Sequence, residues 1–471
     1  MVPVLSNSWR SLCLAVVACC VSCQSTGSGG PPPGVLLASV TAVPAPHPMV
    51  LAAVSAVDTE RLREDLATLV DFGTRHTRSD TESHSRGIGA ARRWLHQRFA
   101  EIAAEVSAAG GATLEVSSEH HPIAAGRRMP EPIDLVNVVA TIPGSDSNRV
   151  IVLSGHYDSR TSTDADITGD APGANDDGSG TVAALEAARC IALALGDRVP
   201  RATIRFAAVA GEEQGLYGSR AMAQADRAAG RDVFAMITND IVGGLGGGNG
   251  EANRGTMRLF SEGVPSSELS ASVVGSDNDA PSRQLARTIF ELGQRYVPSL
   301  WVQLVFRQDR YLRGGDHKAF NEQGYAAVRF TDTHEHYDRQ HQDVKLVDGR
   351  QYGDLLEFVD FENLTDVVRL DVAAMLSLAL APPEPTGVSV DTTGLTNDSR
   401  LYWDDPHDPT VVGYRLRLRH SSSPNWEQVV DVGNVHEYTL SGVSKDHWLF
   451  GVEAYDQAGL HSVMVYPAPG Y

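Results

Sequence analysis

The sequence predicts an α/β protein, with a mixed, largely parallel sheet flanked by helices, followed by a C-terminal β-sandwich. Three observations carry this reading. Short apolar, partly β-branched runs at 135–142, 150–154, 203–209, 234–238 and 326–330 have the composition of strands buried on both faces. Helical periodicity lies before and between them, as at Leu62, Leu66 and Leu69. After Pro382-Pro383-Glu384-Pro385 the pattern changes to short alternating strands separated by turns.

Taken in order, the chain opens as an export signal. Arg10 supplies a positive start, and residues 12–21 are apolar but too few to span a bilayer. Four of the five cysteines fall here, and Val16-Val17-Ala18-Cys19 resembles a bacterial lipoprotein cleavage box, in which Cys19 would be lipidated and attach the chain to a membrane. A plain secretory signal is the alternative. Residues 1–23 are thus read as signal and 24–55 as a disordered linker rich in Ser, Gly, Pro and Ala. Localisation follows as exported: periplasmic, outer-membrane or secreted. Only Cys190 remains beyond the signal, so no disulfide framework is possible.

Residues 56–381 form the first folded domain. Helices are expected from Thr59, over 87–102 with Trp94, Leu95 and Phe99 on one side, and over 182–195 between two strands. The glycine-rich stretch 243–255 lacks phosphate-loop spacing and is read as a loop near the site mouth. Residues 385–471 carry strands at 387–390, 400–403, 413–419, 426–432, 437–440 and 448–455. Trp403, Tyr414, the Tyr438-Thr439-Leu440-Ser441-Gly442 turn and the 450–456 strand resemble a fibronectin type III domain. Its aromatics are read as core, since a small sandwich needs bulky centres, and its partner is unassigned. A net charge of -20 and no basic run argue against nucleic acid as a partner.

The chemistry is carried by short segments placed at strand ends: Ser154-Gly155-His156-Tyr157-Asp158, Ala210-Gly211-Glu212-Glu213-Gln214-Gly215, Thr238-Asn239-Asp240, and a histidine-rich stretch with His334, His336 and His341. Pro172-Gly173-Ala174-Asn175-Asp176-Asp177-Gly178-Ser179-Gly180 precedes a helix. Ligands of open α/β sheets bind beyond the carboxyl ends of the strands, where four of these segments begin. Histidines and carboxylates gathered at one edge suit zinc, and suitable cysteines are absent. Two histidines with three carboxylates exceed the needs of one catalytic zinc. A carboxylate bridging two ions about 3.5–4 Å apart accounts for the surplus. Each segment alone would more often be a cap, a turn or a solvated loop. Together and in this order they read as a site.

Residues 60–380 resemble the co-catalytic di-zinc metallopeptidases of clan MH, which include bacterial secreted leucyl aminopeptidases, aminopeptidase Y and glutamate carboxypeptidase II. The motifs are His156-Tyr157-Asp158, the 173–180 run, Glu212-Glu213 with Gly215 and Gly218-Ser219, and Asn239-Asp240 with Gly243. The resemblance implies a zinc exopeptidase fold and two zinc ions. His156 and Asp240 would hold one, Glu213 and a later histidine the other, and Asp176 would bridge. It further implies Glu212 as general base, Asp158 as acceptor of the second ring proton of His156, and a cis peptide between Asp176 and Asp177. The family's usual sequence at the last histidine is not reproduced. His341 is chosen because Asp343 follows it closely, with His336 and His334 as alternatives. Gly314-Gly315-Asp316-His317 resembles a family stretch that shapes the site, and His317 is not taken as a ligand.

The implied activity is removal of N-terminal residues from peptides with a free N-terminus. A carboxypeptidase or other amidohydrolase is the alternative, since Arg307, Arg310 and Arg313 could meet a free carboxylate. A non-catalytic binding protein of the same fold is a third, disfavoured by the intact set of ligands and base.

Overall fold

The apolar runs fold into the middle of an eight-stranded sheet. The computed structural model describes residues 45–264 and 277–470. The strands are β1 (Glu115–Ile123), β2 (Ile133–Ile142), β3 (Asp146–His156), β4 (Ala202–Val209), β5 (Asp232–Asn239), β6 (Thr256–Ser261), β7 (Trp301–Val305) and β8 (Ala327–Thr331), in the order β1-β2-β4-β3-β5-β8-β6-β7. β4, β3, β5 and β8 are neighbours and run parallel, so their C-terminal ends share one edge. β2 and β6 flank this quartet antiparallel, β1 adds to β2 antiparallel, and β7 adds to β6 parallel. Every residue of β4 is buried, as in a strand covered on both faces.

The helices are α1 (Pro48–Ser55), α2 (Thr59–Val70), α3 (Gly87–Ala108), α4 (Ser179–Leu195), α5 (Glu212–Gly215), α6 (Tyr217–Ala228), α7 (Pro281–Tyr296), α8 (His317–Asn321) and α9 (Phe361–Leu380). Asp58 caps α2 by accepting from the Glu60 and Arg61 N–H groups. The stretch 174–195, which ends in α4, is long and apolar enough to cross a membrane by composition, yet it is almost wholly buried in the core here. The start of α4 packs tightly on β3: a Cβ on Gly155 would come within 2.3 Å of the Gly180 carbonyl carbon.

One expectation changes. The linker expected over 24–55 overruns its end, because Pro48–Ser55 is helical. Pro48 suits the first turn, and Val50, Ala53 and Val54 bury themselves in the core that α4 and α9 also build. The export signal, the Cys19 box and the rest of the linker lie outside the described residues. β1, β6, β7 and α7 were not anticipated. β1 is a mostly exposed edge strand with no apolar alternation to betray it.

β9 (Lys345–Val347) and β10 (Arg350–Tyr352) form a small hairpin. The C-terminal strands are β11 (Thr386–Asp391), β12 (Ser399–Asp404), β13 (Val411–His420), β14 (Gln428–Gly433), β15 (Glu437–Leu440), β16 (Trp448–Asp456) and β17 (Ala468–Gly470). They form a four-stranded sheet, β15-β12-β11-β17, and a three-stranded one, β14-β13-β16. Trp403 and Tyr414 lie buried between them with ring centroids 5.4 Å apart.

The sandwich is not loosely attached. Arg149 donates to both Glu384 oxygens at 2.7 and 2.6 Å, and Arg201 donates to the Ala381 carbonyl at 3.0 Å. Arg287 of α7 donates to the Pro424 carbonyl, and Arg419 of β13 pairs with Asp279 with both side chains fully buried. The described residues accordingly fall within one compact unit.

Candidate metal centre

Each strand of the parallel quartet delivers one part of the site. β3 ends on His156, whose Nδ1 lies 3.1 Å from the Asp158 main-chain oxygen. A carbonyl only accepts, so Nδ1 carries the proton and Nε2 is left free. Nε2 faces Asp176 Oδ1 at 3.3 Å and Asp240 Oδ1 at 3.8 Å. β5 leads directly to Asp240. Asp176 sits in the Ala174–Gly178 turn ahead of α4, and its peptide bond to Asp177 is cis. β4 leads through Gly211 to Glu212 and Glu213 at the start of α5. Gly211 has φ of 74°, and a Cβ there would come within 2.7 Å of Leu135 Cδ1. The loop after β8 brings in His341, itself held at φ of 53°, an uncommon conformation for a side-chain-bearing residue and one found at functional sites. His341 Nε2 lies 3.0 Å from Asp176 Oδ2 and 3.0 Å from Glu213 Oε2.

Two overlapping triads result. His156, Asp176 and Asp240 bring ligand atoms within 4.8 Å of one another, and so do Asp176, Glu213 and His341. All five residues chosen from the sequence as ligands thus converge, with Asp176 shared. His334 and His336 instead line a neighbouring cavity of about 400 Å³ with Glu251, Arg258 and Arg350. His317 Nε2 donates to the Gln308 carbonyl at 2.7 Å, the ring sits in neither triad, and burial pushes its pKa down to about 4.

The arrangement fits a cation. Asp176 Oδ2 and Glu213 Oε1 are buried without a hydrogen-bond donor, which is costly unless positive charge meets them. Burial, then Asp240, Asp316 and Glu213, drive the Glu212 carboxyl well above the usual range. Burial opposes a charged Asp176, but His341 and His156 outweigh it and hold its carboxyl well below that range. Imidazole nitrogens with carboxylate oxygens, and no thiolate, are a zinc-type donor set. Glu212 belongs to neither triad but lines the same cleft as Asp176, Glu213, Asp240 and His341.

Asp158 requires a correction. Its carboxylate was expected to accept the second ring proton of His156, but it stands 3.6 Å from Nδ1, and its own main-chain oxygen is the nearer acceptor. The carboxylate is drawn instead to three donors: Thr77 Oγ1 at 3.0 Å, the Glu212 N–H at 3.3 Å and the Glu213 N–H at 3.2 Å. It therefore positions the Glu212–Glu213 turn.

Further supporting residues were not anticipated from the sequence. Asp177 accepts from the main-chain N–H groups of His156, Gly180 and Ile241, tying three ligand-bearing segments together. Asp354 accepts from the Asn175 and Asp176 N–H groups, and burial pushes its pKa up to about 7. The buried Arg329 guanidinium lies 3.0 Å from Asp240 Oδ1 and 3.1 Å from Asp309 Oδ2. Only Asp177 carried a signal, as half of the Asp-Asp pair. Asp354 and Arg329 are distant in sequence and no spacing marks them.

Residues 137–359, which contain both triads, match the model of peptidase family M28. A "probable zinc metalloprotease" of Leptosphaeria maculans is 42% identical over 434 residues, 91% of this chain and 98% of the relative. A relative of the same description from Pyricularia oryzae is 42% identical over 452 residues, 93% of this chain and 88% of its own length. Among solved structures, LapA of Legionella pneumophila superposes with a TM-score of 0.51 at 23% identity, covering 70% of this chain and 76% of that one. LapB of the same organism gives 0.51 at 22%, covering 73% and 78%. At these identities the structures speak to the fold, while the curated relatives speak to the family. With its site inside the matched region and near-complete coverage of those relatives, the chain belongs to peptidase family M28 as a zinc metalloprotease.

Proposed function

We propose that this metallopeptidase is an exported aminopeptidase whose centre holds two zinc ions. The observation that carries the count is Asp176, whose two oxygens face different histidines, His156 and His341. In this reading His156 and Asp240 would hold one ion, Glu213 and His341 would hold the other, and Asp176 would serve both. The motif likeness to leucyl aminopeptidases supports action at a free N-terminus, and Arg10 with the apolar 12–21 run supports export, with membrane attachment if Cys19 is lipidated.

Zinc, when bound, supplies a water of lowered pKa and a polarising charge for the scissile carbonyl. The chain's own residues do the rest. Glu212, which lines the cleft beside both triads without belonging to either, takes the proton of the attacking water and passes it to the leaving amine. Asp158 fixes the Glu212–Glu213 turn through its two N–H bonds. The Asp158 carbonyl fixes the His156 tautomer, so that Nε2 faces the carboxylates.

The test is Glu212→Gln, assayed on leucine p-nitroanilide with zinc measured in parallel. Zinc content should persist while turnover falls by roughly 10²- to 10⁴-fold, the usual size of a general-base contribution. Retained turnover overturns the assignment. A carboxypeptidase is the second reading, favoured by Arg313 in the cleft wall. Dipeptides blocked at one terminus or the other decide between them.

A further inference from the structure

The cleft over the metal centre encloses about 710 Å³. Its carboxylates are Asp176, Glu212, Glu213 and Asp240, all belonging to the centre or standing beside it. Its remaining charged lining is cationic throughout: Arg128, Arg160, Arg310, Arg313 and Lys318. Chance does not favour this in a chain with 39 basic and 59 acidic residues. Divalent ions held at the centre would offset its carboxylates, leaving the cationic wall to set the field a substrate meets.

Three of the five cations are committed elsewhere. Arg128 and Arg160 pair with Asp164 at 3.2 and 3.1 Å, and Arg310 pairs with Glu335 at 2.6 Å. Among the described residues, no hydrogen bond or ion pair engages the Arg313 guanidinium or the Lys318 ammonium. The two stand on adjoining wall. Gly314 follows Arg313, and a Cβ on it would lie 3.2 Å from Lys318 Cδ and 3.5 Å from its Nζ. Leu312, beside Arg313, lines the same cavity, is held at φ of 58° and contributes nothing to the core. This loop thus offers an apolar side chain and a free guanidinium to the cleft.

We infer that Arg313 and Lys318 form a carboxylate-recognition subsite, so that the preferred peptides carry an acidic group along the Arg310–Gly314 wall. That group is either an acidic side chain or the peptide's own terminal carboxylate. The inference rests on the peptidase reading above. A partly enclosed wall strengthens such contacts over those on an open surface, and a guanidinium can grip a carboxylate with two hydrogen bonds.

Four substrates separate the sources: Leu-Leu-amide, Leu-Glu-amide, Glu-Leu-amide and Leu-Leu with a free carboxylate. At least one acid-bearing substrate should exceed Leu-Leu-amide by roughly tenfold in kcat/KM, equivalent to about 1.4 kcal/mol. Preference for a Glu amide assigns a side chain, and preference for free Leu-Leu assigns the terminus. In the zinc-loaded Arg313→Gln/Lys318→Gln double variant that ratio should collapse toward one, chiefly through KM. Equal rates on all four, or a ratio that survives in the double variant, overturn the inference. If the wild type cleaves none of them, the peptidase reading itself fails. Calorimetric titration with glutarate then still decides: binding weakened tenfold or more in the double variant supports the subsite, and unchanged or absent binding overturns it.

Discussion

Replacing Arg419 by Met should destabilise the whole molecule, because it removes one of the two cations paired with a buried carboxylate where the sandwich meets the catalytic domain. Arg419 donates to Asp279 Oδ1 at 2.8 Å and Oδ2 at 2.7 Å, and neither side chain is exposed. Methionine keeps much of the apolar stem but removes both charge-assisted bonds, each worth roughly 1.5–3 kcal/mol. Asp279 would retain Gln284 at 2.8 Å and Arg287 at 3.3 Å, which moderates the loss. Breaking one side of a buried pair costs about 3–5 kcal/mol, consistent with that sum. At about 2.1 cal/mol/K of unfolding entropy per residue over the described residues, a loss of about 4 kcal/mol lowers Tm by roughly 4–5 °C. Calorimetry should show a single shifted transition. Neither residue lines the cleft, so activity at low temperature should persist. A shift below about 1 °C would refute the buried-pair argument. A separate early transition, leaving the remainder at its original Tm, would refute the coupling of sandwich and catalytic domain.

Other consequences follow from particular residues. His341→Ala should reduce bound zinc, read by elemental analysis, whereas His336→Ala should leave it unchanged, because His336 lies in the neighbouring cavity. Chelation should lower Tm as well as abolish activity, since an ion bound only to the folded state stabilises it by mass action. Burial pushes the Asp371 carboxyl up to about 8, against the opposing bond from Asn239. The folded chain then keeps a proton that the unfolded chain releases above about pH 4, so this group's contribution to stability falls as pH rises from about 4 through 8. Asp371→Asn should flatten that part of the stability profile in denaturant titrations across pH. Cys190 is free and buried, and burial followed by Glu186 raises its thiol pKa, so it should ignore thiol reagents until the protein unfolds.

Much of the site was legible in the sequence because its parts are local signals at strand ends. The runs ending at His156, Val209 and Asn239 are long, apolar and β-branched, so the positions just past them mark the crevice where ligands gather. The chain could not rank His334, His336 and His341 with the same authority, because all three lie in one loop and loop paths depend on distant partners. Asp343 was the clue to His341, and the structure shows the Asp343 carboxylate accepting from Ser162, in the segment that follows β3. β1 and β7 escaped notice for a different reason. As margin strands with half their residues exposed, they do not need the apolar patterning that marks the centre.

The sequence by itself determined the two architectures and, through its likeness to a known family, the class of chemistry and four of the ligand candidates, since residue type, motif and hydrophobic period are properties of short segments. Only the tertiary structure decided what surrounds them. It gave the Asp158 carboxylate to the Glu212–Glu213 turn instead of the His156 ring, set Arg329 against Asp240, and drew the helix at Pro48–Ser55 out of an apparent linker. It also gathered Arg128, Arg160 and Arg313 around one cleft. Each of these is a contact between residues remote in the chain. Their energies depend on burial and approach, which no local spacing records.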